Sequence, residues 1–236
     1  MDKKRILVMS DIHGALKQLN ALLDKVSYDP NVDQLILLGD YVDRGPDSCG
    51  VLNKVMSLKD EGAIVLRGNH DDMLVAAVDG EPSAWDRWMR NGAEKTLLSY
   101  DATMTDELSL PKSDAFQAHV EFIKGLDYYY ETDSHIFVHA GVDPELPIDE
   151  TDSHELVWIR SKFHDGYHGQ KTVVFGHTPT PNLHDDSEKY DVYFGENNII
   201  GVDGGAVYGG QLNCLELSGN KMYSVKSNQN ETSTVG

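Results

Sequence analysis

Side chains that can bind a metal ion follow five short apolar runs of the sequence, each at the position where a run ends. A single polar residue at such a place carries little information, because Asp, Asn and Gly also form turns and helix caps. Five successive runs that each end in a possible metal ligand are hard to explain by capping alone. The residues concerned are Asp11 and His13, Asp40, Asn69 and His70, His139, and His177.

These side chains offer carboxylate and amide oxygens and imidazole nitrogens, with no thiolate among them. Such donors suit Mn, Zn, Fe or Mg and disfavour Cu(I) or an iron–sulfur cluster. Their number exceeds what one ion needs, and the carboxylate of Asp40 could bridge two ions. The pattern therefore predicts a dinuclear metal site with hydrolytic chemistry.

The apolar runs before these residues are short and rich in β-branched side chains, which is typical of strands buried on both faces. They cover residues 6–9, 35–38, 64–66, 136–138 and 173–175. Between them, apolar residues recur at helical spacing over 16–26 and 51–58. Alternating strands and helices predict an α/β fold. In open α/β sheets, ligands bind outside the carboxyl ends of the strands, where the polar residues fall.

We expect one domain over residues 1–226. The segment 80–126 predicts a helical insert over one end of the sheet, in which Trp85 and Trp88 are core residues rather than a substrate platform. Apolar runs on both sides of the turn at 218–220 predict a β-hairpin. The polar end at 227–236 is predicted to be a flexible tail.

Composition and charge exclude several classes of protein. The chain has 236 residues, of which 40% are hydrophobic and 25% charged, as in ordinary globular proteins. With 20 basic and 39 acidic residues the formal net charge is −19, so we expect no nucleic acid and no membrane as partners. Two cysteines and the lack of a long apolar run predict a cytoplasmic location. An anionic ligand would need a local positive field, which metal ions can supply.

Five motifs are similar, in order, to the signature of the PPP-type, calcineurin-like metallophosphatases. They are DIHG at 11–14, GDYVDRG at 39–45, RGNHD at 67–71, HAG at 139–141 and GHT at 176–178. This family includes protein serine/threonine phosphatases, the phage-type phosphatase and bacterial diadenosine tetraphosphate hydrolases. The first three motifs together are highly specific, whereas HAG or GHT alone would be weak. The resemblance implies a four-layer α/β/β/α sandwich.

The resemblance also implies which residues hold metal. Two divalent ions are expected, Mn in the first place, with Fe or Zn as alternatives. A metal-bound hydroxide would attack phosphorus directly, without a phosphoenzyme intermediate. The first ion would be held by Asp11, His13 and Asp40, and the second by Asp40, Asn69, His139 and His177.

By the same resemblance, catalysis is assigned to His70 and Asp43. His70 would protonate the leaving alkoxide, and Asp43 would keep the imidazole oriented and protonated. Non-reacting phosphate oxygens would be bound by Arg44, Arg67 and Arg160. Arg160 matches less well, and pairing with a surface carboxylate explains it equally. Tyr208 could face the metal site or serve only the hairpin.

Two substrate classes fit these residues. The complete GDYVDRG motif with Asp43 resembles protein phosphatases and favours a phosphomonoesterase acting on phosphoserine and phosphothreonine in proteins. The alternative is symmetrical hydrolysis of bis(5'-nucleosyl) tetraphosphates such as diadenosine tetraphosphate, whose leaving group depends less on an oriented acid. A catalytically silent metal-binding module is disfavoured, because every expected ligand and the acid are present. The expected partner is a phosphorylated protein or a small phosphoester, without a regulatory subunit.

Overall fold

Two five-stranded β-sheets form the centre of the molecule, with helices packed on their outer faces. The computed structural model describes residues 5–104 and 108–227. The strands are β1 (Arg5–Met9), β2 (Asp33–Leu37), β3 (Ile64–Val65), β4 (Tyr129–Glu131), β5 (His135–Val138), β6 (Thr172–Phe175), β7 (Tyr193–Phe194), β8 (Ile199–Gly201), β9 (Gln211–Glu216) and β10 (Lys221–Lys226). The helices are α1 (Leu16–Lys25), α2 (Ser48–Asp60), α3 (Asn69–Val78), α4 (Ala84–Arg90), α5 (Ala93–Tyr100), α6 (Asp114–Lys124), α7 (Ser153–Trp158) and α8 (Ser161–Gly166).

The strands predicted from the apolar runs lie side by side and run parallel. The first sheet has the order β10-β9-β1-β2-β3, and the second has the order β4-β5-β6-β8-β7. In the first sheet β1, β2 and β3 are parallel, and in the second β5, β6 and β8 are parallel. Met9 pairs with Leu37, and Leu37 pairs with Val65, so three carboxyl ends share one edge. β3 stops one residue short of the predicted run, where Leu66 forms an isolated bridge to Asp127.

Alternate side chains of the central strands pack into different cores, as the two-residue period of a strand requires. Leu7 of β1 packs with the helices of the first sheet, whereas Val8 packs between the sheets. Ile136 of β5 packs with the helices of the second sheet, whereas Phe137 lies in the layer between the sheets. Both sheets are thus buried on both faces, which confirms the four-layer α/β/β/α sandwich.

The segment predicted as a helical insert contains α4, α5 and α6. These helices pack against α2 and α3. Trp88, Leu97 and Phe116 from the insert join the same apolar core as Leu52 of α2. The Ser113 hydroxyl caps α6 by accepting a hydrogen bond from the backbone of Phe116 at 3.2 Å. The insert is therefore tied to the helices that follow β2 and β3.

The last described elements form the predicted β-hairpin. β9 pairs antiparallel with β1 and, through the turn at 218–220, with β10. Beyond Ser227, the tail predicted at 227–236 lies outside the described residues. Among the helices of the described chain, none combines the length and apolar character needed to cross a membrane.

Candidate active site

The loops after five parallel strands meet where the carboxyl ends of the two sheets adjoin. The loops after β1, β2 and β3 come from the first sheet, and those after β5 and β6 come from the second. All six predicted metal ligands are brought together there and are buried: Asp11, His13, Asp40, Asn69, His139 and His177. The alignment of parallel strands is what carries residues so distant in the sequence to one place.

Several ligand-bearing residues have unusual backbone conformations. Asp11, His13, Asp40 and His177 have φ angles between 45° and 62°, in the left-handed region. Each such residue costs about 1–3 kcal/mol and persists only where the surroundings hold it. Here the loops hold one another, since His13 N donates to the carbonyl of Asp40 at 2.9 Å and His177 N donates to Asp11 Oδ2 at 2.9 Å. The strained backbone therefore occurs at the residues whose side chains are directed at the candidate metal site.

The first group of ligands surrounds the imidazole of His13. Its Nε2 lies 3.5 Å from Oδ2 of Asp40 and 3.9 Å from Oδ1 of Asp11. Oδ2 of Asp11 is already engaged, because it accepts from Ser10 Oγ at 2.6 Å and from the backbone of His177. Nδ1 of His13 lies 2.7 Å from the carbonyl oxygen of Val42. His13, Asp40 and His70 each offer one ligand atom within 4.8 Å of the others, and Asp11 joins this group through its contact with His13.

The second group contains the other oxygen of Asp40. Oδ1 of Asp40 lies 3.5 Å from Nε2 of His139. Oδ1 of Asn69 lies 2.9 Å from that nitrogen and 2.8 Å from Nδ1 of His177. Nδ1 of His139 lies 2.9 Å from the carbonyl oxygen of Leu38. Asp40 therefore presents one oxygen to each group, as a ligand shared by two ions would.

The protonation of His13 and His139 tests whether these groups fit metal ions. Burial lowers the pKa of both imidazoles, so each ring is neutral and carries one proton. Nδ1 of each faces a backbone carbonyl, which only accepts, so the proton is on Nδ1. Nε2 of His139 is then a lone pair aimed at the oxygens of Asp40 and Asn69, which also carry lone pairs. Nε2 of His13 also lies 3.5 Å from Oδ2 of Asp40, but it accepts from Nη1 of Arg44 at 2.9 Å. Buried acceptors that face one another need a cation between them, and the donor set fits metal ions.

Asp71 connects two of the loops that carry predicted metal ligands. It is fully buried, and its carboxylate accepts from the backbone nitrogens of Asp40 at 2.9 Å, Gly68 at 2.9 Å and Tyr41 at 3.1 Å. Burial raises its pKa to about 7, and these three donors oppose the rise. Asp71 thus ties the loop after β2 to the start of α3, where Asn69 lies. The sequence contained the residue within a motif but did not indicate this role.

His70 and Asp43 form a buried pair beside the first group. Nδ1 of His70 lies 2.7 Å from Oδ2 of Asp43. The His70 ring meets the His13 ring edge to face, with centroids 4.7 Å apart. Burial raises the pKa of Asp43 to about 7, although hydrogen bonds from Thr96 and Trp88 oppose the rise. Because Nδ1 is engaged, Nε2 is the nitrogen of His70 that remains for a proton transfer.

The three predicted phosphate-binding arginines lie in different surroundings. Arg44 Nη1 lies 2.9 Å from His13 Nε2, which places its guanidinium at the first group. Arg160 Nη1 donates to the hydroxyl of Thr178 at 3.0 Å, and Thr178 directly follows a ligand. Among the described ion pairs neither arginine has a carboxylate partner, so the surface-pairing explanation of Arg160 finds no support there.

Arg67 is engaged elsewhere. It forms an ion pair with Asp72, and its guanidinium lies 5.5 Å from the centre of the Tyr128 ring. Tyr208, for which the sequence left two roles open, is 57% exposed, and its ring lies 5.1 Å from the guanidinium carbon of Arg44. Tyr208 therefore faces the site through Arg44.

Two residues that contact the catalytic pair had no signal in the motifs. Trp88 was expected in the core, and it is fully buried. Its indole nitrogen also donates to both oxygens of Asp43, at 2.9 and 3.0 Å. The Thr96 hydroxyl donates to Oδ1 of Asp43 at 2.7 Å. A hydrophobic pattern indicates burial but not the direction of a polar atom, which is why this contact was missed.

Comparison with known proteins agrees with this geometry. The model of the calcineurin-like phosphoesterase family matches residues 4–214, which is most of the chain. The chain belongs to this family. It is a metal-dependent phosphoesterase, and enzymes of this family use a dinuclear metal centre, for which the described residues offer two groups of ligands.

Relatives of this phosphoesterase carry different names. It is 30% identical over 229 residues to serine/threonine-protein phosphatase 1 of Salmonella typhimurium, covering 91% of this chain and 92% of that protein. It is 26% identical over 252 aligned positions to the asymmetrical bis(5'-nucleosyl)-tetraphosphatase PrpE of Oceanobacillus iheyensis, covering 95% and 93%. A crystal structure provisionally named a diadenosine tetraphosphatase matches with a TM-score of 0.69 at 25% identity, covering 97% of this chain and 96% of the other. The reaction class is therefore common to the relatives, whereas the substrates in their names differ.

Proposed function

We propose that this phosphoesterase removes phosphate from phosphoserine and phosphothreonine in proteins. The observation that carries the proposal is the buried pair of His70 and Asp43, with 2.7 Å between Nδ1 and Oδ2. A serine or threonine alkoxide is a poor leaving group and needs a proton as it departs, which an oriented imidazole can donate. A nucleoside diphosphate is a better leaving group, so a dinucleotide hydrolase depends less on such a pair.

Two divalent cations are the cofactors of the proposed reaction. The ligands of the first would be Asp11, His13 and Asp40, and those of the second Asp40, Asn69, His139 and His177. When bound, the two cations act as Lewis acids on phosphoryl oxygens and lower the pKa of water. Oxygen and imidazole donors without thiolate favour Mn²⁺, with Fe or Zn as alternatives.

The remaining residues bind and orient the substrate. Arg44 lies at the first group of ligands and Arg160 near the second, so their guanidinium groups would bind the non-reacting oxygens from two sides. Arg67 would contribute the N–H groups that Asp72 leaves free, since a guanidinium has five. Asp43 would hold His70 with Nε2 turned to the leaving oxygen. Because burial lowers the pKa of His70 well below its usual value, donation from Nε2 requires the imidazolium form, which the adjacent carboxylate of Asp43 would stabilise.

A second candidate function is hydrolysis of dinucleoside tetraphosphates. It is supported by the match, over nearly the whole of both chains, to a relative named an asymmetrical bis(5'-nucleosyl)-tetraphosphatase. The same ligands and arginines would serve this reaction, because both substrates present a phosphoryl group. What distinguishes the two reactions is the leaving group and therefore the need for His70.

The test compares kcat/KM for a phosphothreonine peptide and for diadenosine tetraphosphate, with added Mn²⁺ and with a chelator as control. We expect activity on both to require the metal and the peptide to be preferred. A clear preference for the dinucleotide would contradict the proposed substrate while leaving the phosphoesterase reaction intact. Product analysis would then separate symmetrical cleavage, which gives ADP alone, from asymmetrical cleavage, which gives ATP and AMP.

A further inference from the structure

The carboxylate of Asp43 is surrounded by hydrogen-bond donors, two of which come from the helical insert. Oδ1 accepts from Thr96 Oγ1 at 2.7 Å and from Trp88 Nε1 at 2.9 Å. Oδ2 accepts from Trp88 Nε1 at 3.0 Å and lies 2.7 Å from Nδ1 of His70. The residue is fully buried. Each oxygen is thus held in place by an insert residue on one side.

The insert also holds the backbone on which Asp43 lies. The amide of Asp43 donates to Thr96 Oγ1 at 2.8 Å and to Ser48 Oγ at 3.2 Å. The amide of Arg44 donates to the carbonyl of Gly92, between α4 and α5, at 3.1 Å. Asp43 and Arg44 have φ angles of 73° and 70°, a conformation that needs such support.

The charge of Asp43 depends on the same contacts. Burial raises the pKa of its carboxyl to about 7 even though the hydrogen bonds from Thr96 and Trp88 lower it. Without them the carboxyl would be held as the neutral acid over a wider pH range, and a neutral acid is a weaker acceptor for the imidazole N–H. Thr96 and Trp88 of the insert thus both hold the carboxylate of Asp43 in place and favour its charged form.

We propose that Trp88 and Thr96 are positioning residues, which orient Asp43 and through it fix the ring of His70 for proton donation to the leaving group. The insert is then a support of the catalytic pair and not only a cover over α2 and α3. This inference rests on the proposed function of His70 and Asp43.

The experiment compares two substrates that differ in their leaving group, a phosphothreonine peptide and p-nitrophenyl phosphate, each with Mn²⁺. Thr96→Val removes the hydroxyl at nearly constant volume, and Trp88→Phe removes the indole N–H. Thr96→Ser keeps the hydroxyl. Trp85→Phe is the matched control, because Trp85 lies on the same helix and packs edge to face against Trp88 but makes no hydrogen bond to Asp43 within the described chain.

We expect Thr96→Val and Trp88→Phe each to lower kcat on the peptide by about tenfold or more, which is part of the range that general acid catalysis supplies. On the aryl phosphate, whose leaving group needs little protonation, the loss should stay within about twofold, and KM should change little because the arginines are untouched. Thr96→Ser should restore the ratio of the two activities. Trp85→Phe should leave that ratio as it is in the unchanged protein.

Equal losses on both substrates in Thr96→Val and Trp88→Phe would overturn the inference, since a purely structural role lowers both activities together. His70→Asn, measured in parallel, separates this failure from failure of the proposed function. If His70→Asn is selective for the peptide and the insert variants are not, only the inference is wrong. If His70→Asn itself lowers both activities equally, the general-acid assignment is wrong and the inference falls with it.

Discussion

Gly68 lies where the loop after β2 touches the start of α3, and its replacement by alanine would displace a ligand without removing one. A Cβ at Gly68 would lie 3.0 Å from Cγ of Asp40 and closer still to its Oδ1 and backbone nitrogen, whereas ordinary contacts are 3.4–4 Å. Relief of these contacts needs a shift of about 1 Å. The φ of Gly68 is −105°, so backbone strain plays no part.

The magnitude follows from what Asp40 does at this site. Its Oδ1 faces His139 and accepts from the backbone of His70 at 2.9 Å, so a displacement disturbs both ligand groups and the catalytic pair. A misplacement of about 1 Å at a catalytic centre costs about 100-fold in rate. We therefore expect Gly68→Ala to lower kcat by about 100-fold and to weaken the binding of at least one Mn²⁺. The free energy of unfolding of the Gly68→Ala variant should be lower than that of the unchanged protein by about 1–3 kcal/mol.

The assay is kcat measured over a Mn²⁺ titration, together with thermal unfolding. Gly80→Ala is the control, because Gly80 has a φ of 73° but an added Cβ there meets nothing within 4 Å. Alanine in that conformation costs about 1–2 kcal/mol of stability, and kcat should remain that of the unchanged protein. If Gly68→Ala binds Mn²⁺ normally and keeps kcat within about twofold, the close approach of the loops is not what places Asp40.

Three further predictions concern single side chains. His70→Asn should lower the rate on a phosphothreonine peptide by about 100-fold or more and the rate on an activated aryl phosphate far less; equal losses would remove the general-acid role. Asp40→Asn should weaken both Mn²⁺ sites by about tenfold or more, because an amide nitrogen cannot bind a cation and a charge shared by the two sites is lost. Calorimetry that finds one site at full affinity would contradict the bridging role. Phe137→Ala, in the layer between the sheets, should lower the free energy of unfolding by about 3–5 kcal/mol in denaturant titrations.

The fold could be predicted to a large extent, because strands and helices have different local periods. The apolar runs predicted β1, β2, β5 and β6 to within one or two residues, and two apolar stripes predicted α1 and α2. The layer order came from the family resemblance and not from these periods. Which helices the insert packs on could not be predicted, since packing partners depend on contacts between distant segments.

The ligand positions could be predicted because parallel strands end at a common edge. Asp11, Asp40 and His139 each follow a strand, and a strand end is visible in the sequence as the end of an apolar run. The sequence did not show which side-chain atom of each ligand faces which of the two groups. That Asp40 turns one oxygen to His13 and the other to His139 is decided by the left-handed backbone at Asp40 and by the loops that hold it.

The sequence by itself determined the reaction class and the family, since five short motifs contain the ligands, the acid and two arginines. Only the tertiary structure decided what supports them. Trp88 and Thr96 reach Asp43 across 45 and 53 residues of chain, and Asp71 binds the backbone of Asp40 across 31. No local pattern records such contacts, because a hydrogen bond between distant segments depends on the direction of a side chain in the folded core, and that direction is set only when the helices pack.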